Sequence, residues 1–161
     1  MSLIDNFPER VDSFIRAANN QQLRMVLVGG GAVNFHGFQR HSADIDFWID
    51  ITEENLKKLH SILNELGYLV DELPEKVKTG QQNISIKISP VFELELITNF
   101  NPGKTFDEAF NQSVFADKGE FSYHVLNYYD LINSKITSER IKDKMDVEEL
   151  QRINFQRRNK S

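Results

Sequence analysis

Apolar residues recur along the chain with two different periods, one typical of helices and one typical of strands. Residues 4–19 and 53–65 carry apolar side chains at helical spacing. Thr52 is predicted to cap the second of these helices, which is expected to end at Gly67. The polar tail at 156–161 is expected to fray. Further helices are predicted from shorter stretches with the same period, at 32–38, 106–110, 126–136 and 141–153.

The strands are predicted from β-rich runs and from strict alternation. Residues 23–28 form an apolar run that stops at three glycines, which is typical of a buried strand. Residues 83–88 alternate isoleucine with polar side chains, and the break at Ser89-Pro90 predicts a tight antiparallel pair with 91–97. Less distinct segments complete the series: strands at 45–49, 68–71 and 121–125, and a turn or helical fragment at 74–79.

The order of these elements predicts a mixed α/β (α+β) architecture. The chain has 161 residues, of which 40% are hydrophobic, and this is enough to bury a core. No internal repeat or long linker divides the sequence. We therefore expect a single domain over residues 1–161, with a core at about 20–125 and a helical C-terminal part at about 126–155.

Charge and cysteine content narrow the function classes. The formal net charge of −5 argues against a general nucleic-acid binder, which usually has a basic excess. The absence of cysteine excludes disulfides and thiolate metal sites. The N-terminus carries acidic residues early, and no apolar run approaches the roughly 20 residues that span a bilayer. We expect a soluble cytoplasmic protein without a membrane segment.

Two aspartates on one predicted strand are the strongest chemical signal. Asp44 and Asp46 are two positions apart, so their carboxylates point to the same face. Apolar neighbours predict that this strand is buried on at least one side, where two like charges repel and lose hydration. A bound Mg²⁺ would relieve both penalties, because it prefers hard oxygen ligands. The alternative is an ordinary solvated strand face.

A second acidic pair and a glycine run could complete such a site. Glu93 and Glu95 share one face of a later strand, and one of them could supply a third carboxylate. Alternatively, they lie on the solvated face of an edge strand. Gly29-Gly30-Gly31 follows a predicted strand and could hold a phosphate on backbone N–H groups, or it could mark only a tight turn.

Together these residues resemble a known pattern. An apolar strand, Gly-Gly, about a dozen residues, Asp-x-Asp and a later acid resemble the polymerase-beta-like nucleotidyltransferase superfamily. The segment VGGGAVNFHGFQRHSADIDFWID is similar to the small bacterial nucleotidyltransferases related to the AbiEii toxin group and to the minimal nucleotidyltransferases. Its matching positions are Gly29, Gly30, Ala32, His36, Gly37, Arg40, Asp44 and Asp46, with Ser42 in place of Thr. The segments ELITNFNPGKTFDEAF and LNYYDLINSKITSERIKDKMDVEEL also match, in the same order.

The resemblance implies a nucleotidyltransferase fold, with a mixed central sheet flanked by helices, and Mg²⁺-dependent transfer of a nucleoside monophosphate from an NTP to a hydroxyl. Asp44 and Asp46 would bind the metals and the triphosphate. Glu95 would be the third metal-binding carboxylate and would help to deprotonate the acceptor. Gly29 and Gly30 would contact the phosphates through their backbone.

Several nearby residues allow both a functional and a structural interpretation. Arg40 could neutralise triphosphate charge or form a surface ion pair. Lys135 could reach a phosphate, or it could pair with Asp143 and fasten the two C-terminal helices. His36 could contact substrate, although a structural histidine is the commoner case. Trp48 is expected in the core rather than as a platform for a base.

The sequence leaves the acceptor open. A protein hydroxyl, a tRNA end and a small molecule are all compatible with the resemblance. Similar proteins have toxin–antitoxin or phage-defence roles, which implies a possible partner protein. The basic residues at 142–160 form either a solvated face or an approach for nucleic acid. The alternative function is a catalytically degenerate module that binds a nucleotide or acts as an antitoxin-like partner.

Overall fold

A computed structural model describes residues 9–39, 44–89, 92–136 and 138–159. The helices are α1 (Glu9–Gln21), α2 (Gly29–Phe35), α3 (Glu53–Glu65), α4 (Glu75–Lys78), α5 (Phe106–Asn111), α6 (Tyr128–Ile136) and α7 (Ile141–Asn159). The strands are β1 (Met25–Val28), β2 (Asp44–Ile49), β3 (Ile84–Ser89), β4 (Phe92–Ile97), β5 (Val114–Asp117) and β6 (Ser122–Val125). None of the helices in these ranges combines the length and the apolar content needed to cross a bilayer.

The strands form one six-stranded mixed sheet in the order β3-β4-β2-β1-β6-β5. In the centre, β1 runs antiparallel to β2 and parallel to β6, and β2 runs parallel to β4. The outer strands β3 and β5 each pair antiparallel with their neighbour, which confirms the predicted pairing of β3 with β4. Helices flank the sheet, so the mixed α/β architecture expected from the sequence is confirmed.

The alternation of β2 positions the acidic residues. Ile45, Phe47 and Ile49 are almost completely buried and belong to the apolar core. The intervening residues point to the opposite face of the sheet, because successive side chains on a strand alternate. Asp44 is therefore exposed and Asp46 partly buried, while the core anchors the strand that carries them.

The start of α3 follows the predicted capping. The Thr52 side chain accepts a hydrogen bond from the backbone N–H of Asn55, as a cap residue does. The buried Asn55 amide in turn donates to the carbonyl oxygens of Arg24 and Asp50, at 3.0 and 2.7 Å. These bonds join the helix to the ends of β1 and β2, so they stabilise the two strands that lead into the acidic face.

One strand predicted in the middle of the chain is absent, and one observed strand has no counterpart among the predictions. Residues 68–71 form no strand, because side chains of α3 form hydrogen bonds with the backbone of Val70. Asn64 accepts from the Val70 N–H at 2.7 Å, and both Asn64 and His60 contact its carbonyl oxygen. The short strand β5 was not predicted. Its residues do not alternate between apolar and polar, and all but Ala116 are exposed, so they give no periodic signal.

The helix boundaries also differ. Helix α2 begins at Gly29, so the glycines start the helix instead of forming a separate turn before it. Helix α7 continues to Asn159 instead of fraying at 156. Arg157 in that last turn donates to the carbonyl oxygen of His36, a tertiary contact that the local sequence does not reveal. The predicted start of α1 at residue 4 lies outside the described residues.

Candidate active site

The pairing of β2 with β4 places both acidic pairs on neighbouring strands. The parallel register sets Asp44 beside Glu93 and Asp46 beside Glu95. Neighbouring strands lie about 4.8 Å apart, and partners in register point to the same face. The structure thus brings the Asp-x-Asp pair and both candidate glutamates together on one face of the sheet, which we call the acidic face.

The start of α2 lies against this face through a glycine. Gly29 follows Val28, which pairs with Asp46 across β1 and β2. Its φ of +61° is a conformation that residues with a side chain rarely adopt. A Cβ atom at Gly29 would lie 2.3 Å from Oδ2 of Asp46. A glycine is therefore required here on two grounds, backbone conformation and the close approach of the Asp46 carboxylate.

The environment of Asp46 opposes its ionisation. Burial raises the pKa of its carboxyl to about 6, and the negative charges of Asp44 and Glu95 add to the effect. The positive charges of Lys142 and Lys135 counteract it in part. The effect of Glu95 on Asp46 shows that the third carboxylate of the predicted set is close enough to interact electrostatically.

The two glutamates of β4 have different neighbours on β3. Ser85 lies in register with Glu95, and its Oγ donates a hydrogen bond to Oε2 of Glu95 at 2.6 Å. Lys87 lies in register with Glu93. The acidic face therefore consists of two rows across three strands, and only the row with Asp46 and Glu95 contains this hydroxyl contact.

The chemistry of these donors suits a hard divalent cation. Three carboxylates on one face are the ligands that Mg²⁺ prefers, and a cation would offset the repulsion that raises the pKa of Asp46. The space beside Asp46 depends on Gly29 having no side chain. Within the described ranges, however, no three histidine or acidic side chains already form a ready-made metal site.

A buried ion-pair cluster fastens α6 to α7. Nζ of Lys135 lies 3.0 Å from Oδ1 of Asp143 and 3.0 Å from Oδ2 of Asp146, and all three side chains are buried. Arg140 also donates to Asp143 through Nε at 2.9 Å. The sequence-based alternative, in which Lys135 and Asp143 join the C-terminal helices, is thus the contact observed. A phosphate contact of Lys135 stays a prediction.

Lys142 is a functional candidate that the sequence did not single out. It is exposed in the first turn of α7, and its positive charge lowers the pKa of the Asp46 carboxyl. From the sequence it was only one of several basic residues near the C-terminus. Nothing local indicates that α7 begins beside the acidic face, because that proximity arises from the packing of the helices.

The other candidates have structural surroundings. Nε2 of His36 contacts the carbonyl oxygen of Leu126 at 2.8 Å, and the ring packs against Tyr128. Burial lowers the pKa of His36, which favours the neutral ring and agrees with its structural interpretation. Trp48 is 5% exposed and belongs to the core, as expected. Arg40 lies outside the described residues.

Comparison with known proteins identifies a protein family for this chain. A family model described as "Nucleotidyltransferase of unknown function (DUF6036)" matches residues 9–156. The match contains every strand of the sheet and both acidic pairs. No curated protein matches the chain.

Proposed function

The chain belongs to this family of nucleotidyltransferases, and on that premise we propose that it transfers a nucleoside monophosphate from an NTP to a hydroxyl acceptor with the help of Mg²⁺. Pyrophosphate is the leaving group. The bond between the α- and β-phosphates of the NTP breaks, and a bond forms between the α-phosphorus and the acceptor oxygen. Such transfers depend mainly on positioning and charge neutralisation, with little covalent participation of the protein.

The observation that carries this proposal is the environment of Asp46. Its carboxylate lies against Gly29 at the start of α2, beside two other acids on the same face. Burial and like charges raise its pKa to about 6, so the folded protein disfavours the ionised form of this carboxyl group. Groups perturbed in this way are concentrated at functional sites. A purely structural surface strand has no need of such an arrangement.

Each residue has a role in the proposal. Asp44 and Asp46 hold Mg²⁺, and Glu95 completes the set and accepts the proton of the acceptor hydroxyl. When bound, Mg²⁺ neutralises phosphate charge and polarises the phosphoryl oxygens. Backbone N–H groups of Gly29 and Gly30 face the phosphates, and no side chain caps this end of α2. Further cationic partners for the triphosphate are proposed at Arg40, Lys135 and Lys142.

The resemblance to AbiEii-type enzymes extends the proposal to its setting. The acceptor would be a protein hydroxyl, a tRNA end or a small molecule, and the chain would act in a toxin–antitoxin or defence context. An antitoxin-like partner protein and a cytoplasmic location belong to the same proposal. The support for these finer points is the match of the motifs around Asp44, Asp46 and Glu95.

A labelling experiment tests the reaction. The protein is incubated with a cell lysate, Mg²⁺ and each of the four NTPs labelled at the α-phosphate, with γ-labelled NTP in parallel. We expect α-label to enter one class of molecule and γ-label to be released, because the proposed reaction retains only the monophosphate. Transfer of γ-label instead would contradict nucleotidyl transfer, and mass analysis of the labelled product identifies the acceptor.

Two glutamate variants test the third carboxylate. Glu95→Gln is expected to abolish transfer while NTP binding is largely kept, because the carboxylate in register with Asp46 on β4 loses its charge. Glu93→Gln is the matched control, since Glu93 lies on the same face beside Asp44. If the control variant loses transfer and Glu95→Gln retains it, the assignment of the third acid is wrong.

One observation favours the alternative of a degenerate module. Among the described residues, no three acidic or histidine side chains lie close enough together to hold a metal ion as they stand. A non-catalytic nucleotide-binding or antitoxin-like protein would show NTP binding that does not depend on Mg²⁺, and no transfer of label with any NTP. Calorimetry with and without Mg²⁺ therefore separates this function from the enzyme.

A further inference from the structure

We propose that Ser85 is a positioning residue that orients the Glu95 carboxylate for cation binding, and this inference rests on the proposed function. Ser85 stands directly opposite Glu95 in the antiparallel pair of β3 and β4. Its hydroxyl oxygen and Oε2 of Glu95 are 2.6 Å apart. This distance is in the range of a charge-assisted bond from a hydroxyl to a carboxylate.

The hydrogen bond removes freedom that would otherwise weaken a metal site. A glutamate side chain has several rotatable bonds, so an unrestrained carboxylate on a strand samples many positions. Ser85 engages Oε2 and leaves Oε1 for a second partner. Residues that hold a ligating carboxylate in place in this way contribute roughly 10- to 100-fold to metal affinity in other sites.

The contact also distinguishes Glu95 from Glu93. The β3 partner of Glu93 is Lys87, whose ammonium group can attract a carboxylate but does not constrain it as a neighbouring hydroxyl would. In the described part of the chain, Ser85 is the side chain that donates to Glu95. The edge strand β3 thus contributes to the site, although it carries none of the acidic residues.

A set of matched variants tests this role by cation binding alone. Binding of Mn²⁺, used as the probe in place of Mg²⁺, is measured on the free protein by water-proton relaxation. Ser85→Ala is expected to weaken Mn²⁺ binding about tenfold, and Ser85→Thr, which keeps a hydroxyl on a strand, is expected to restore it. Ser61→Ala is the matched control, because it removes an exposed hydroxyl on α3 that contacts Gln21 of α1 and none of the acidic residues of β2 and β4.

Double variants show whether Ser85 acts through Glu95. In a Glu95→Gln background, Ser85→Ala is expected to have no further effect on Mn²⁺ affinity, because its target charge has gone. In a Glu93→Gln background, it is expected to keep its full effect. Equal effects of Ser85→Ala in both backgrounds would overturn the inference, since the residue would then act independently of Glu95.

The failure of this inference is distinguishable from a failure of the proposed function. If the wild-type protein and Asp46→Asn bind Mn²⁺ equally, the acidic face is not a metal site and both ideas fail. If Asp46→Asn loses Mn²⁺ binding but Ser85→Ala and the wild-type protein bind alike, the metal site stands and only the role of Ser85 is refuted. Circular dichroism melting of each variant confirms that the comparison is made between folded proteins.

Discussion

The carboxylate of Asp46 is held under conditions that disfavour its charge. Burial and two neighbouring acids raise its pKa to about 6, compared with about 3.9 for an unperturbed aspartate. The folded protein is thus less stable with this group ionised than with a neutral group of the same shape. Function and stability therefore conflict at this residue, as is common at sites built to bind a cation.

Replacement of Asp46 by asparagine should stabilise the protein without metal. We expect Asp46→Asn to raise the free energy of unfolding by about 1–2 kcal/mol at pH 7.5 with EDTA, because the variant removes a charge that burial and the neighbouring acids disfavour. Urea denaturation measures the difference. Asp117→Asn, on the exposed edge strand β5, is the control and should show no gain. A loss of stability in Asp46→Asn would contradict the proposed electrostatic stress.

A methyl group at Gly29 should damage the site more than the fold. We expect Gly29→Ala to cost about 1–2 kcal/mol of stability because of its positive φ. The collision with Asp46 should in addition lower nucleotidyl transfer on the order of 100-fold. Stability is followed by urea denaturation and transfer by the labelling assay.

The control for Gly29 is another glycine with a positive φ. Gly103 has a φ of +85°, and a Cβ atom there would meet nothing within 4 Å. Gly103→Ala should therefore lose similar stability while retaining transfer. If both variants keep their activity, the close contact between Gly29 and Asp46 has no functional meaning.

Among the helices and strands, those with a clear periodic pattern of apolar residues could be predicted from the sequence. Helix α3 has a strong amphipathic pattern and a side-chain cap, and its bounds were predicted closely. The wrong strand at 68–71 shows what periodicity misses, because Asn64 satisfies the backbone of Val70 in place of a neighbouring strand. The last turn of α7 contacts His36, the residue after α2, and the local sequence does not reveal this tertiary contact.

For the candidate site, the sequence predicted which acids share a face but not how their strands are paired. The identity of the acids followed from the alternation in β2 and β4, since residues two apart share a face. The side-by-side pairing of these strands is a tertiary feature, because β2 and β4 are separated in the chain by α3, α4 and β3. The positions of Ser85 and Lys142 near the acids depend on the same packing, so the sequence did not reveal them.

The attachment of α7 to α6 should depend on pH. Burial alone would raise the pKa of the Asp143 carboxyl, but hydrogen bonds from Arg140, Ser138 and Lys135 hold it well below its usual range. Because the folded-state pKa is lower than that of the unfolded chain, the contribution of Asp143 to stability is complete above pH ~4. It is lost as the pH falls from there toward the folded-state pKa.

The Asp143→Asn variant measures this contribution. We expect it to lower the free energy of unfolding by about 2–4 kcal/mol at pH 7, because it removes one partner of a buried ion pair. The difference from the wild-type protein should shrink below pH 4, where this carboxyl begins to be protonated in the unfolded chain while it is still ionised in the folded protein. Urea denaturation at pH 7, 5 and 3 provides the test. Glu149→Gln, which breaks an exposed pair with Arg152, should leave the midpoint unchanged.

For the molecule as a whole, a divalent cation should act as a stabilising ligand. The chain has a net charge of −5, and part of its acidic excess is concentrated on the acidic face. A ligand that binds only the folded state at 100 times its dissociation constant stabilises it by about 2.7 kcal/mol. In a domain of this size, that corresponds to a rise in Tm of roughly 5–11 °C.

Thermal melts can establish whether this stabilisation is specific. We expect Mg²⁺ together with an NTP to raise the Tm of the wild-type protein and to leave that of Asp44→Ala unchanged. NaCl at the same ionic strength is the control for general screening of charge. A shift of equal size with NaCl, or in the variant, would show that the cation does not occupy a defined site.

Because glutamates occupy alternate positions in β4, the site should tolerate only certain insertions and deletions in this strand. A deletion of two residues after Glu93 would bring this glutamate opposite Asp46, so an acid would still stand there. A deletion of Leu94 alone would make Glu93 and Glu95 consecutive, so only one of them could remain on the acidic face, because strand side chains alternate. Active homologues of this protein should therefore carry insertions or deletions in β4 only of an even number of residues.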